Sequence, residues 1–290
     1  MNKKISIIVV SFLVLISLFG CYDTNDSNEN LAGEAMRYVF GNLQIKPLQK
    51  LLIKKEPLER IEVKFPDGQN CKNNTNCLSD FCLPAEKKCA PIEVAYYLND
   101  GMQTVPGHFV NQNLGNINTN FNNHYGNIVS ISNWIHSNII CHECDRRSTS
   151  LVGSNTAEEL LSSINSVPIS CTDFGIVFVT LARAKGYPTK FVDTYGLDYL
   201  KKLDLGNCNI NVTGHIYTNI YLDGEWHVYD PVAMRFFEPV FSDNCIDGCY
   251  WGGDGGKELY VVTNKGLDLW DLGFNNRHEA NENIREQYFC

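Results

Sequence analysis

An Asp-Gly dipeptide at residues 223–224 constrains the fold of this chain more than any other local feature, because it predicts a hairpin of defined register. The flanking runs, 215–222 and 225–230, are rich in β-branched and aromatic residues, as strands usually are. Asp-Gly between two such runs favours a two-residue type I′ turn, which would pair Leu222 with Glu225. The sequence therefore predicts two antiparallel strands whose side chains can be assigned to faces.

That register places His215 and Asp230 on the same face of the hairpin, because side chains alternate along each strand. Tyr217 lies opposite Asp230, so His215 and Asp230 are diagonal neighbours with Cβ atoms about 7–8 Å apart or somewhat less. A carboxylate at that distance can hydrogen-bond an imidazole, fix one tautomer and orient the ring. His227 is the competing histidine and falls on the opposite face. A register shift of one residue would exchange the two faces.

A second motif, Ser170-Cys171-Thr172-Asp173, has the spacing of a helix capping box with Ser170 as the N-cap. Apolar residues recur at helical spacing over 174–181, and Gly186-Tyr187-Pro188 predicts the end of this helix. Cys171 would then lie in the first turn, where the macrodipole and unpaired N–H groups favour a thiolate. A buried or disulfide-bonded cysteine is the structural alternative.

A cysteine at a helix start, a histidine on a strand and an aspartate on the next strand supply a nucleophile, a base and an orienting group. These motifs, in this order, resemble the transglutaminase-like superfamily of papain-fold cysteine enzymes. The stretches that carry the resemblance are 170–174, 181–188, 214–215 and 226–231, preceded by 131–135 and 156–161, within a core of 125–240.

The resemblance implies an α+β fold, with N-terminal helices packed on an antiparallel sheet, to which the cysteine pattern of the chain adds a small disulfide-rich insert. It also implies a triad in which Cys171 attacks a carboxamide carbonyl and forms a thioester. His215 would activate the thiol and protonate the departing amine, while Asp230 would orient the imidazolium. The N–H of Cys171 is a natural oxyanion donor at a helix start. The spacing of Trp134 suits a buried helix face rather than a second donor, and no cofactor or metal ion is expected.

The acceptor that resolves the thioester decides the reaction. An amine gives transamidation, water on a glutamine side chain gives deamidation, and water on a backbone amide gives proteolysis. The expected activity is acyl transfer of the transglutaminase or glutamine deamidase type, acting on protein or peptide amides. A cysteine peptidase with the same triad and a noncatalytic surface binding module are the alternatives.

The N-terminus predicts an extracytoplasmic lipoprotein. Met1-Asn2-Lys3-Lys4 is basic, and the apolar run 5–19 is shorter than the roughly 20 residues that span a bilayer. Leu18-Phe19-Gly20-Cys21 resembles a bacterial lipobox, which would make 1–20 a signal peptide and Cys21 the lipid attachment site. An ordinary signal peptide with an incidental cysteine is the alternative. Lipidation would anchor the chain to a membrane, at the cell surface or the periplasmic face.

The twelve cysteines of the chain also indicate an oxidising compartment. Without Cys21 and Cys171, ten remain, and an even number fits a set of disulfides. A cluster of four cysteines predicts a disulfide-rich module over 66–91 with three possible connectivities. The spacing of these cysteines lacks the Cys-x-x-Cys pair of a typical zinc site. For Cys141 and Cys144, a structural disulfide is favoured over a redox or zinc site. The four-cysteine cluster consists of Cys71, Cys77, Cys82 and Cys89, and the pairing of Cys208, Cys245, Cys249 and Cys290 stays open.

The predicted organisation is a signal peptide, a tether with a short helical region, the cysteine-rich module and one transglutaminase-like domain. The net charge of −9 argues against nucleic acid as a partner, which leaves a protein or peptide amide substrate and the membrane. Within the domain we expect a helix at 127–140, a loop at 109–124 and late strands at 259–262 and 267–270. The four parts correspond to residues 1–20, 21–65, 66–91 and 92–290.

Overall fold

An antiparallel sheet and the helices packed on it form the framework that positions the candidate site. The computed structural model describes residues 65–120, 122–139, 151–163, 170–242, 245, 248–252 and 258–290. Strands β1 to β6 are Thr189–Gly196, Gly214–Leu222, Glu225–Asp230, Arg235–Phe237, Cys249–Trp251 and Leu259–Gly266. Helices α1 to α7 are Ile92–Ala95, His108–Leu114, His124–Asn138, Ala157–Ser162, Cys171–Ala184, Leu197–Asp204 and Arg277–Gln287.

Within the described residues, the strands form one sheet in the order β4-β3-β2-β1-β6-β5, and every neighbouring pair is antiparallel. Helix α5 packs on β1 and β2, and α3 and α4 pack on α5 in turn. The predicted α+β fold, with helices that precede the strands packed on an antiparallel sheet, is therefore confirmed.

The hairpin of β2 and β3 has the predicted register. Leu222 pairs with Glu225, and Thr218 pairs with Tyr229. Both turn residues have positive φ, 51° at Asp223 and 97° at Gly224, as a type I′ turn requires. The local turn chemistry thus fixes which side chains of the two strands share a face.

The core lies between α5 and the sheet. Ile176, Phe178 and Leu181 of α5 are fully buried. Gly175 allows the helix to approach closely, because a Cβ there would lie 2.6 Å from Cγ2 of Ile216. The N-terminal end of α5 is therefore held directly against the start of β2.

The cysteine-rich module forms two disulfides, Cys71–Cys82 and Cys77–Cys89, one of the three possible connectivities. The module contacts the turn of the β2–β3 hairpin. The Glu86 carboxylate accepts a hydrogen bond from the Asp223 N–H at 3.0 Å. Two further disulfides, Cys208–Cys290 and Cys245–Cys249, lie in the later part of the chain, so eight cysteines are paired among the described residues.

Two local predictions are wrong. Residues 267–270 form bends and turns rather than a strand, because the buried Asp268 carboxylate accepts hydrogen bonds from the N–H groups of Gln103 and Asp271. The expected loop at 109–124 contains most of α2 and the first residue of α3.

Several sequence predictions fall outside the described residues. These are the signal peptide 1–20, the lipid attachment site at Cys21, nearly all of the tether and helical region 21–65, and the Cys141 and Cys144 pair. Among the described helices, none has the length and apolar character needed to cross a membrane.

Candidate active site

Cys171 is the first residue of α5, and the predicted capping box holds that end of the helix. The Ser170 hydroxyl accepts a hydrogen bond from the Asp173 N–H at 3.3 Å, and the Asp173 carboxylate accepts from the Ser170 N–H at 3.1 Å. The same carboxylate accepts from the Gly153 N–H at 2.9 Å, which ties the helix start to the preceding loop. Cys171 is partly exposed and is the one cysteine among the described residues that is outside a disulfide.

His215 and Asp230 meet as the hairpin register predicts. Nε2 of His215 lies 2.9 Å from Oδ2 of Asp230, whose side chain is almost fully buried. Oδ1 of Asp230 accepts hydrogen bonds from the N–H groups of Val232 and Ala233 at 2.9 and 3.0 Å. Both carboxylate oxygens are therefore engaged, and this fixes the orientation of the carboxylate against the imidazole.

The imidazole of His215 also interacts with Cys171, and this interaction lowers the pKa of the thiol and raises that of the imidazole. Because Asp230 engages Nε2, Nδ1 is the ring nitrogen left for the sulfur. The backbone of Ile216 also favours the charged form of Cys171. The structure thus brings the three predicted residues together in one line, Cys171, His215 and Asp230, from helix to sheet.

The electrostatics of this line favour charge separation between the thiol and the imidazole. Burial raises the pKa of Cys171, but the hydrogen bond and charge of His215, the charge of Arg277 and the Ile216 N–H outweigh it, so the pKa is lowered. Burial lowers the pKa of His215, but its hydrogen bonds with Asp230 and Cys171 outweigh burial and raise it to about 10. A thiolate–imidazolium pair is the form that these shifts favour.

Aromatic side chains hold the His215 ring in place. Tyr217 contacts it edge-on with ring centroids 4.9 Å apart, and Tyr260 contacts it at 5.9 Å. The Tyr217 hydroxyl donates to the backbone carbonyl of Trp251 at 3.0 Å, which fixes that ring in turn. The imidazole is thereby confined to the orientation that reaches both Asp230 and Cys171.

The other candidates of the sequence lie away from this line. His227 is on the opposite face of the sheet, as predicted, where its Nε2 lies 3.1 Å from the Tyr125 hydroxyl and 3.2 Å from the Leu222 carbonyl. Trp134 is partly buried and packs against the main core from α3.

One charged residue at the site was missed by sequence reasoning. Arg277, the first residue of α7, is buried and paired with Asp193 of β1. Its helix is polar and lies far along the chain from the three motifs, so no local pattern connects it with Cys171.

Among the described residues, three cysteines lie close enough together to hold a metal ion. They are Cys71, Cys77 and Cys82, and all three are in disulfides. They lie in the cysteine-rich module, apart from the line of Cys171, His215 and Asp230.

Parts of the chain match a protein family and a solved structure. Residues 113–231 match the family model of the transglutaminase-like superfamily. A solved structure described as a candidate cysteine protease from Cytophaga hutchinsonii is 16% identical, with a TM-score of 0.38, over 62% of this chain and 48% of that chain. The chain thus spans about half the length of that protein. No curated protein matches it.

Proposed function

We propose that this chain is a cysteine acyl-transfer enzyme that acts on protein or peptide amides, since residues 113–231 match the family model of the transglutaminase-like superfamily. The observation that carries the proposal is the line of Cys171, His215 and Asp230, in which His215 is hydrogen-bonded to Asp230 and interacts electrostatically with Cys171. The family match and the chemistry of the site both support a cysteine enzyme. A module used only for binding would not need a free thiol in contact with an oriented imidazole.

In the first half of the reaction, the Cys171 thiolate attacks the carbonyl carbon of the substrate amide, and a carbon–sulfur bond forms. The backbone N–H of Cys171 lies at a helix start, where it lacks an intrahelical acceptor and can stabilise the developing oxyanion. The carbon–nitrogen bond then breaks, and the His215 imidazolium gives its proton to the leaving amine. The products are a thioester on Cys171 and free ammonia or amine.

In the second half, neutral His215 removes a proton from the incoming amine or water, which attacks the thioester carbonyl. The carbon–sulfur bond breaks, and the Cys171 thiolate and the His215 imidazolium are restored. Asp230 keeps the ring in one orientation throughout and stabilises its charged form. Either acceptor fits this sequence of steps, so transamidation and glutamine deamidation share the same residues.

The test is incubation of the full-length protein with a glutamine-containing peptide, with and without a primary amine. Mass spectrometry should show amine incorporated into the peptide, or glutamine converted to glutamate, together with an acyl group on Cys171. The Cys171→Ala variant should lose this turnover by at least about 10³-fold while its circular dichroism stays unchanged. Turnover by the variant at the wild-type rate would refute the assignment.

The same experiment separates the alternatives. Cleavage of the peptide backbone, dependent on Cys171 and without change at glutamine, would identify a cysteine peptidase. No acyl-enzyme with any of these substrates, in a protein whose Cys171 is also unreactive to alkylation, would indicate the noncatalytic binding module.

We also propose that the enzyme acts outside the cytoplasm, anchored through lipid on Cys21 after removal of residues 1–20. The basic and apolar sequence ahead of Cys21 supports this, and the disulfides of the described residues suit an oxidising compartment. Mass spectrometry of the mature N-terminus should find diacylglyceryl-modified Cys21. A mature N-terminus at another residue would refute the lipid anchor without affecting the enzyme assignment.

A further inference from the structure

The guanidinium of Arg277 is a buried cation at the edge of the candidate site. The residue is 7% exposed and forms an ion pair with Asp193. Its Cζ also lies 4.7 Å from the centroid of the Tyr195 ring. The position is built by β1 and by the start of α7, so it depends on the tertiary fold rather than on one segment.

Arg277 connects the two elements that carry the nucleophile and the base. Its backbone N–H donates to the Val152 carbonyl at 2.8 Å, and the next residue, Gly153, donates to the capping carboxylate Asp173 at 2.9 Å. On its other side the guanidinium lies against Gly214, where any Cβ would overlap it. Gly214 immediately precedes His215 in β2, so Arg277 lies between the start of the Cys171 helix and the start of the His215 strand.

The pair with Asp193 leaves part of the Arg277 cation without a hydrogen bond. Nη2 of Arg277 and Oδ2 of Asp193 are both buried and have no hydrogen-bond partner among the described residues. An unsatisfied buried donor costs stability, so its presence calls for a functional reason. Cys171 supplies this functional reason. The charge of Arg277 helps to lower the pKa of Cys171, and Cys171 in turn helps to raise the pKa of Arg277.

We propose that Arg277 is a positioning residue of this site, whose permanent positive charge favours the Cys171 thiolate and whose guanidinium supports the start of β2 beneath His215. The inference rests on the proposed function of Cys171 as the nucleophile. It makes α7, which lies outside the family match at 113–231, a working part of the site.

Other charged and titratable groups lie on the elements around the site, so a test has to separate the effect of Arg277 from theirs. They lie on β1, β2, β3, α3 and α5 itself. They are Asp193, His215, Tyr217, Asp230, His136 and Asp173.

The experiment measures the rate of Cys171 alkylation by iodoacetamide as a function of pH, with peptide mapping to locate the label. In Arg277→Met, the buried Asp193 becomes protonated and the positive charge is lost. The midpoint of the pH profile of Cys171 alkylation should therefore rise by about one pH unit. In Asp193→Asn, Arg277 is no longer neutralised, so the midpoint should fall. Arg277→Lys keeps the charge and should shift less than Arg277→Met.

Arg285→Met is the matched control. Arg285 is on the same helix and pairs with Glu282 at 3.0 Å, away from Cys171, so its loss should leave the midpoint unchanged. Structural damage would shift the alkylation midpoints of Arg277→Met and Asp193→Asn in the same direction, whereas a charge effect shifts them in opposite directions. If Arg277→Met does not fold, the downward shift in Asp193→Asn still tests the inference.

Unchanged midpoints in both variants, or shifts of the same sign, would overturn the role of Arg277. Failure of the proposed function has a different signature. In that case the wild-type protein itself would show no Cys171 alkylation below the pH range of an ordinary thiol.

Discussion

Nε2 of His215 lies 2.9 Å from Oδ2 of Asp230, across a hairpin whose turn alone sets the register that brings them together. The bond leaves Nδ1 of the ring for Cys171 and raises the pKa of His215, with a further contribution from the cysteine. A turn of two residues, Asp223 and Gly224, thus determines the geometry of a site on the far end of the same strands.

Asp230→Asn should therefore impair catalysis without unfolding the protein. The amide can still hydrogen-bond Nε2, but it neither stabilises the imidazolium nor enforces the tautomer that the reaction needs. The rate of ammonia release from a glutamine peptide should fall by about 10²- to 10⁴-fold. His227→Ala, on the opposite face, is the control and should retain activity within about twofold. Equal rates for Asp230→Asn and wild type would remove Asp230 from the mechanism.

The raised pKa of His215 also predicts a pH dependence of stability. A base that binds its proton more tightly in the folded state stabilises the fold while it is protonated. This contribution is complete below the unfolded value of 6.5 and is lost as the pH rises through about 10. The difference in free energy of unfolding between wild type and His215→Gln should therefore shrink across this range in urea titrations. A difference independent of pH would contradict the assignment.

Gly175→Ala should destabilise the protein, because the added Cβ would lie 2.6 Å from Cγ2 of Ile216. Overpacking of this kind costs about 1–3 kcal/mol, which thermal or urea unfolding can measure. Gly115→Ala is the matched control, since nothing lies within 4 Å of its Cβ position and its backbone is right-handed. The close approach of α5 to β2 would be disproved if both variants were equally stable.

Loss of the Cys208–Cys290 disulfide should cost more stability than loss of Cys245–Cys249. The first pair closes a sequence separation of 82 and the second only 4, and longer loops lose more unfolded-state entropy when closed. The double serine variant of the first pair should lose about 2–4 kcal/mol in urea unfolding. A larger loss for the Cys245–Cys249 pair would show that native contacts, rather than loop closure, dominate.

The parts of the fold that follow from local chemistry were predictable from sequence. The capping box at Ser170 and Asp173 sets where α5 begins, and Asp-Gly sets the register of β2 and β3. Each signal acts over a few residues, so it can be read without knowledge of the tertiary structure. The relation between His215 and Asp230 followed directly from the second signal.

The parts that depend on distant partners were not predictable. Helix α2 begins where it does because the Glu158 carboxylate accepts hydrogen bonds from the N–H groups of Phe109 and Val110, about 50 residues earlier in the chain. Asp268 likewise turns the chain where apolar residues alone predicted a strand. Arg277 at the candidate site also depends on a distant partner, since it pairs with Asp193, which is on a strand that no sequence motif links to α7.

The most direct test of the account is the pH profile of Cys171 alkylation in the wild-type protein under nonreducing conditions. A thiol paired with the His215 imidazolium should react as a thiolate well below the value of about 8.5 for a free cysteine, and His215→Gln should move the midpoint upward. Peptide mapping should place the modification at Cys171. A midpoint of wild-type alkylation at about pH 8.5, or no modification of Cys171 at all, would contradict the assignment of Cys171 as an activated nucleophile.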